Sequence, residues 1–436
     1  MDQNSIELEN TGLAPSRPSG ITEQETISLP PVDGGKAAWL FLAGAFTVEA
    51  LVWGFPFAFG VFQEYYSSHE PFAGSPNVAV IGTCAMGIMY LACPLTFAMM
   101  QWWPITQRPA LGAGLITMCL ALSMSSFSTT VGHLILTQGV LYAIGGSLVY
   151  CPTVIYVDQW FVKRKGFAFG IMWAGTGLAG FILPLVMEWL LHDYGYKTTL
   201  RVWAVALFVL TAPLLYFVRP RLPLNRTSAP RRFDLSFLTS KTFNILQAGN
   251  IIESLGYFLP TIYLPMYARS MGASSLMSAL TVILFNVASV FGCVAMGSMV
   301  DRFHVTTCIM VSTIGSTIGV FVFWGLSASL PLLYTFCVIY GLFAGSYTSA
   351  WPGITRYVQK EKAGIETSMV FAWLAAGRGI GNVVSGPLSE ALLKGEPWRG
   401  EAALGYGSGY GGLIVFTGIT AALGGLSFIT RRVGWL

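Results

Sequence analysis

Three charged residues stand near the middle of long apolar stretches: Glu49, Glu253 and Arg378. Between Ala37 and Phe62, Glu49 is the only ionisable residue, and the run exceeds the ~20 residues that cross a hydrocarbon core of ~30 Å. At ~1.5 Å per residue Glu49 lies roughly 20 Å from Lys36, close to the middle of such a core. An uncompensated charge there costs roughly 3 kcal/mol or more, so such a residue usually lines a cavity, pairs with another group or binds a proton.

Two hypotheses follow for these charges. In the first, Arg378 forms a salt bridge with one glutamate that only ties the two halves of the chain together. In the second, one glutamate binds and releases a proton while Arg378 biases it or meets an anionic ligand. The sequence leaves open which glutamate is free. Polar and aromatic residues predicted to line a cavity beside the charges are Trp53, Gln138, Tyr142, Gln247, Asn250, Tyr257, Asn286 and Asn382.

Composition indicates an integral membrane protein. Of the residues, 54% are hydrophobic and only 10% are charged, against about 25% charged in ordinary soluble domains. The net charge of +4 gives no case for nucleic acid. The seven cysteines lack the paired close spacing of a zinc site, so no metal and no cofactor are expected.

An all-α fold with twelve membrane-spanning helices is predicted. The spans are 37–65, 78–101, 109–128, 132–156, 165–189, 200–218, 243–268, 275–300, 304–327, 330–353, 365–392 and 408–430. They divide the chain into a disordered cytoplasmic tail (1–36), a six-helix bundle (37–218), a basic central loop (219–241), a second six-helix bundle (242–430) and a cytoplasmic C-terminus (431–436). The two bundles are expected to be related by pseudo-symmetry.

Basic residues predict the orientation. Eighteen of the 24 Lys and Arg residues fall in the segments on the side of the two termini, which should therefore be cytoplasmic. The sequon Asn225-Arg226-Thr227 in the central loop should then stay unglycosylated. The cell membrane is the expected location, with a vacuolar or other endomembrane as the alternative.

A motif after the eighth span resembles a loop motif of the major facilitator superfamily. Gly297-Ser298-Met299-Val300-Asp301-Arg302 is similar to its GxxxDR pattern. The resemblance implies a cytoplasmic gate in which Gly297 lets two helices approach while Asp301 and Arg302 latch the side shut. The matching loop of the first half, Met100-Gln101-Trp102-Trp103-Pro104, lacks the acidic and basic pair. A latch supplied by the second half alone is therefore expected.

Other stretches resemble the monocarboxylate porter branch, and its fungal members in particular. They are Asp33-Gly34-Gly35 with Trp39, the stretches 160–170 and 174–180, and, for the fungal members, 54–66 and 256–260. Animal carriers of this branch bind a small carboxylate with a lysine and an Asp-x-x-x-Arg pair. The corresponding positions here are Phe57, Ser289 and Cys293, so proton-coupled lactate transport is not expected.

The resemblance implies a secondary active transporter that moves a small organic molecule by alternating access. No GxxxxGK[ST] loop occurs, so transport should be gradient-driven or facilitated. The four histidines are scattered, and an enzyme is not expected. Efflux of a secondary metabolite is the first hypothesis; uptake of a monocarboxylate or vitamin-like nutrient and a non-transporting membrane sensor are the alternatives. Expected partners are the substrate, protons and the lipid bilayer, and the protein should be a monomer.

Overall fold

The computed structural model describes residues 29–75, 77–223, 234–361 and 364–436, in which all regular structure is helical. These residues form twelve helical segments. The first six are α1 (Gly35–Phe57, continued by Phe59–Ser68), α2 (Val78–Leu91 and Cys93–Trp102), α3 (Gln107–Ser125), α4 (Val131–Leu134, a π-helical Ile135–Leu141 and Tyr142–Trp160), and α5 and α6, the two legs of Lys165–Thr211. The second six are α7 (Lys241–Ser270), α8 (Ser275–Arg302), α9 (Val305–Ile318, continued by Gly319–Trp324), α10 (Leu330–Phe343 and Trp351–Glu361), α11 (Thr367–Leu393) and α12 (Gly411–Leu423 and Leu426–Arg432).

Proline and glycine account for the breaks within these segments. Pro56 precedes the interruption of α1 at Ala58, and α2 is bent by 40° just before Pro94. Proline interrupts a helix because it lacks the backbone N–H and its ring clashes with the preceding turn. Between α5 and α6 the chain reverses at Gly195, whose φ of 72° suits a residue without a Cβ.

Most of the helical segments are apolar enough to cross a membrane. Among the described residues, eight helices meet length and hydropathy criteria for a span, or nine if the bent pair in α2 counts as one. One of the eight contains both α5 and α6. The segments that fall short, α7 and α11, carry Glu253 and Arg378. The predicted all-helical membrane fold is thus confirmed, and the two segments that fall short are the ones that carry the Glu253–Arg378 ion pair.

Both described ends of the chain lie on one face of the bundle. The Asp33 N–H donates to the carbonyl oxygen of Trp160 at the end of α4, and the Lys241 ammonium at the start of α7 lies 5.2 Å from the ring of Trp435. We call this side the terminal face and the opposite side the far face. The 1–28 part of the predicted tail and the sequon at 225–227 lie outside the described residues.

Helices α5 and α8 approach each other closely near the terminal face. A Cβ at Gly297 would collide with the carbonyl oxygen of Gly166, and a Cβ at Gly170 would collide with that of Cys293. Small residues permit such close packing of membrane helices. Helix α2 packs against α11 in the corresponding place. These two contacts join α1–α6 to α7–α12; the division into bundles 37–218 and 242–430 remains a prediction.

Candidate central site and terminal-face gate

Arg378 and Glu253 form a buried ion pair at the middle of α11 and α7. The Arg378 Nη1 donates to Glu253 Oε2 at 2.8 Å, and the side chains are only 2% and 6% exposed. The guanidinium carbon also lies 4.1 Å from the ring centroid of Tyr257 and 5.5 Å from that of Phe258. Because α7 and α11 both belong to the second half, this ion pair does not tie the two halves together, which corrects the first hypothesis for Arg378.

Glu49 in α1 has a different environment. It is 3% exposed, and its Oε1 accepts a hydrogen bond of 3.2 Å from the Thr176 hydroxyl of α5. Among the described residues no Lys, Arg or His lies within salt-bridge distance of its carboxylate. A buried carboxyl group without a cationic partner is more stable when it is neutral and protonated. Of the two buried glutamates, Glu49 is thus the one without a cationic partner among the described residues.

Tyr90 of α2 connects the two charged positions. It packs against α11 beside Arg378, where a Cβ at Gly379 would lie 2.7 Å from the Tyr90 Cβ. Its ring centroid is 4.5 Å from that of Trp53, which in turn lies 5.3 Å from that of Tyr150. The central site thus combines one free carboxyl group, one ion pair and a cluster of amphipathic rings from α1, α2 and α4.

Two predicted cavity residues of α4 lie instead in the packed first half. The Tyr142 hydroxyl donates to the carbonyl oxygen of Val52 at 2.9 Å, and Gln138 Oε1 accepts from the Tyr66 hydroxyl at 3.0 Å. Both side chains are buried. In this structure the Tyr142 hydroxyl and the Gln138 Oε1 connect α4 to α1, whereas the Gln138 Nε2 has no hydrogen-bond partner among the described residues.

Gln247 and Asn250 of α7 are likewise engaged in helix contacts. Gln247 Nε2 donates to the carbonyl oxygen of Trp373 at 2.7 Å, and Asn250 Nδ2 donates to that of Leu374 at 2.8 Å. Asn250 Oδ1 accepts from the indole N–H of Trp351 at 3.2 Å. These bonds hold α7 against α11 and α10 on the terminal-face side of the ion pair.

Asn286 and Asn382 lie between the halves at mid-height. Asn286 Nδ2 donates to the carbonyl oxygen of Gly180 at 3.1 Å, linking α8 to α5. Asn382 Nδ2 lies 3.9 Å from the Met86 sulfur, linking α11 to α2. A role for either residue in binding a substrate remains a prediction.

Asp301 forms the predicted latch at the terminal face, but with other partners. Its two carboxylate oxygens accept from the backbone N–H groups of Gly166 and Phe167, each at 2.8 Å. These N–H groups belong to the first turn of α5, where the helix dipole favours a negative charge. The ion pair of Asp301 is with Arg356 of α10 at 3.0 Å, whereas Arg302 is exposed. The predicted pair of Asp301 with Arg302 is therefore not formed in this structure: Arg356 pairs with Asp301 instead, and Arg302 has no salt bridge among the described residues.

The first half supplies a latch of its own. Asp158 at the end of α4 accepts a hydrogen bond of 2.8 Å from the Thr367 hydroxyl at the start of α11 and pairs with Lys165 at 2.8 Å. Gln101 donates to the Ser368 hydroxyl. The expectation of a latch from the second half alone is therefore wrong. The required carboxylate comes from α4 and not from the loop after α2 in which it was sought.

An aromatic plug lies between the latches and the central site. It consists of Phe97, Phe169, Trp173, Trp351 and Phe371, which belong to α2, α5, α10 and α11. The Phe371 ring lies 5.3 to 6.0 Å from the other four. Sequence reasoning missed this plug, because aromatic residues are common throughout the chain and only their placement singles these out.

The gate is closed on the terminal face. Within the described ranges, every hydrogen bond between α1–α6 and α7–α12 involves residues at the terminal face or at mid-height. The latches and the plug therefore separate Glu49 and the ion pair from that face.

The chain is similar to named fungal proteins along most of its length. It is 29% identical to the "Agnestins efflux protein AgnL12" of Paecilomyces divaricatus, over 98% of this chain and 95% of that protein. It is 26% identical to the "MFS transporter asaE" of Aspergillus flavus, over 92% of this chain and 88% of that protein. It is 27% identical to the "Fujikurins efflux protein" of Gibberella fujikuroi, over 92% of this chain and 84% of that protein.

A solved structure and a family model agree with the fold. The human organic anion transporter MFSD10 (TETRAN) superposes with a TM-score of 0.69 over 90% of this chain and 99% of its own, at 13% sequence identity, which supports the fold alone. The family model described as Major Facilitator Superfamily matches residues 41–386. Because that match covers most of the chain, the protein belongs to the major facilitator superfamily and is a membrane transporter rather than an enzyme.

Proposed function

We propose that this transporter exports an amphipathic secondary metabolite in exchange for protons, with Glu49 as the proton carrier. The observation that carries the proposal is the contrast between the two buried glutamates. Glu253 is paired with Arg378, whereas the one partner of the Glu49 carboxylate among the described residues is the Thr176 hydroxyl. A carboxyl group that gains and loses a proton must be stable in both forms at some stage of the cycle. Glu253 instead accepts a hydrogen bond from the guanidinium beside it, which favours its charged form.

The direction of transport is proposed from the relatives. Two of the similar fungal proteins are named as efflux proteins, for agnestins and for fujikurins. The terminal face is taken as cytoplasmic from the distribution of basic residues. The closed gate then represents a stage at which the central site is shut off from the cytoplasm. Substrate would enter from the cytoplasm once the latches open, and protons would move inward as substrate leaves.

The branch of the superfamily, the membrane that holds the protein and its oligomeric state are also part of this proposal. The stretches at 33–39 and 160–180 support the monocarboxylate porter-like branch. Uptake of a small carboxylate is not favoured, because Ser289 and Cys293 are directed at the carbonyl oxygens of Gly341 and Gly345 and supply no charge. We place the protein in the cell membrane, as a monomer, with both termini in the cytoplasm.

Metabolite profiling tests the proposal. Cells and medium would be compared for a parent strain, a deletion strain, and deletion strains that express the wild type, Glu49→Gln or Glu188→Gln. Glu188 is an exposed carboxylate of α5 and serves as the matched control. We expect the deletion to remove one compound from the medium and retain it in cells, and only the wild type and Glu188→Gln to restore its export.

Two outcomes would overturn the proposal. Full export by Glu49→Gln at equal abundance in the membrane would rule out Glu49 as the proton carrier. A deletion that left the secreted compounds unchanged and slowed uptake of a supplied acid or vitamin would favour the importer alternative.

A further inference from the structure

One hydrogen-bond donor at the central site is buried without a partner. The indole Nε1 of Trp53 makes no hydrogen bond within the described residues, although the side chain is only 2% exposed. Trp53 lies one helical turn from Glu49 on α1, so both side chains face the same way. A buried N–H group that lacks an acceptor is costly, and such groups are rare in native structures. The site therefore lacks an acceptor at this position.

Rings surround this donor. Tyr90 and Tyr150 approach Trp53 at centroid distances of 4.5 and 5.3 Å, and the Phe57 ring lies 6.4 Å away on the side of the far face. Ring faces of this kind favour flat, aromatic ligands. Asn382 Oδ1, another of the unpaired buried atoms, lies outside this ring cluster and faces the α2 backbone, where a Cβ at Gly87 would lie 3.6 Å from it. The Trp53 N–H is thus the unpaired group within the ring cluster.

The charges of the site do not favour an anionic ligand. Its guanidinium, on Arg378, is already bonded to Glu253 at 2.8 Å and covered by Tyr257. Glu49 adds a second carboxyl group, so the three side chains sum to zero or to one negative charge, depending on the protonation of Glu49. A carboxylate placed here would be buried without a cation of its own.

An ammonium group fits no better at the unpaired atom. It carries N–H donors only, and it would meet another donor in the Trp53 N–H. An uncharged carbonyl or ether oxygen satisfies the indole without adding a charge. We infer that the central site takes an uncharged, flat aromatic molecule whose oxygen accepts the Trp53 N–H. This inference rests on the proposed export function and names its substrate class.

Three probes that share one ring system test this inference. They are 2-(hydroxymethyl)anthraquinone, anthraquinone-2-carboxylate and 2-(aminomethyl)anthraquinone, which are uncharged, anionic and cationic at pH 7. The full chain in lipid nanodiscs would be titrated with the tritiated uncharged probe, with empty nanodiscs subtracted, and the other two would be added as competitors. We expect saturable binding of the uncharged probe and competition by the charged probes only at about tenfold higher concentration or more.

Trp53→Phe should weaken binding of the uncharged probe about threefold to tenfold, since it removes one hydrogen bond and keeps a ring. Trp189→Phe, at an exposed tryptophan of α5, is the control and should bind as the wild type does. If Trp53→Phe does not fold, the order in which the wild type binds the uncharged, anionic and cationic probes still tests the inference. Tighter binding of either charged probe, absence of saturable binding by all three, or wild-type binding by Trp53→Phe would overturn the inference.

This measurement is separate from the test of export. It needs no proton gradient, because it follows binding of the probe and not its transport. Binding without any export in cells would contradict the proposed function alone. Export of a metabolite that is charged at neutral pH would contradict the inferred substrate class alone.

Discussion

Removing the charge of Asp301 should open the terminal face. Its carboxylate joins α8 to the first turn of α5 through two backbone hydrogen bonds of 2.8 Å, and it pairs with Arg356 of the same half. Asp301→Asn keeps one acceptor oxygen and removes the charge. The closed form depends on the hydrogen bonds between the halves, whereas the open form does not make them. The substitution therefore shifts the equilibrium between the two forms.

The size of the shift is set by the interactions that Asp301→Asn removes. One hydrogen bond to a charged group contributes about 1.5–3 kcal/mol, and the charge at a helix N-terminus about 0.3–1 kcal/mol. The pair with Arg356 lies within the second half, so it does not distinguish the open from the closed form and is not counted. Since these contributions overlap, we expect a total of about 2–4 kcal/mol, or a change of roughly 30-fold to 900-fold in the ratio of open to closed forms.

Distance measurements between spin labels would detect this change. The labels would be placed at Lys163→Cys and Phe303→Cys, two exposed positions on opposite sides of the latch, with the native cysteines replaced. Double electron–electron resonance should then show a longer distance in Asp301→Asn. Arg302→Gln is the matched control, because it removes a neighbouring exposed charge outside the latch. An unchanged distance distribution in Asp301→Asn, or an equal change in the control, would refute the reasoning.

Two further predictions concern buried and capping charges. Arg378→Gln should lower the unfolding free energy by about 3–5 kcal/mol because it leaves Glu253 buried without a cation, and adding Glu253→Gln should restore part of the stability. Thermal unfolding in detergent measures both variants. A double variant as unstable as Arg378→Gln would count against the ion pair. Burial raises the pKa of Asp33, but N–H bonds from Arg164, Lys163 and Val162 outweigh it and hold this pKa below 3.8. The cap should therefore persist at pH 5 and break only as the pH falls through this lowered pKa. Hydrogen exchange should show these amides protected at pH 5 in the wild type and unprotected in Asp33→Ala; equal protection in the variant would exclude the cap.

The sequence alone determined the membrane fold and the depth of its charges. Hydropathy, together with proline and glycine, located the helices, because a stretch of some 20 apolar residues is stable in lipid only as a helix with its backbone hydrogen bonds satisfied. Counting residues from a helix end then placed Glu49, Glu253 and Arg378 at mid-height. The Gly297 to Asp301 motif also located the latch, because its spacing is a local property of the chain.

Only the tertiary structure decided which groups meet. The position of a residue along a helix does not determine how the helix is rotated or which helices lie beside it. The sequence was therefore compatible with Arg378 pairing with either glutamate. Packing of α11 against α7 selected Glu253 and left Glu49 without a cation among the residues that the structure describes. The aromatic plug depends in the same way on four helices converging. A contact between helices is fixed by their packing, and no count along one helix contains that information.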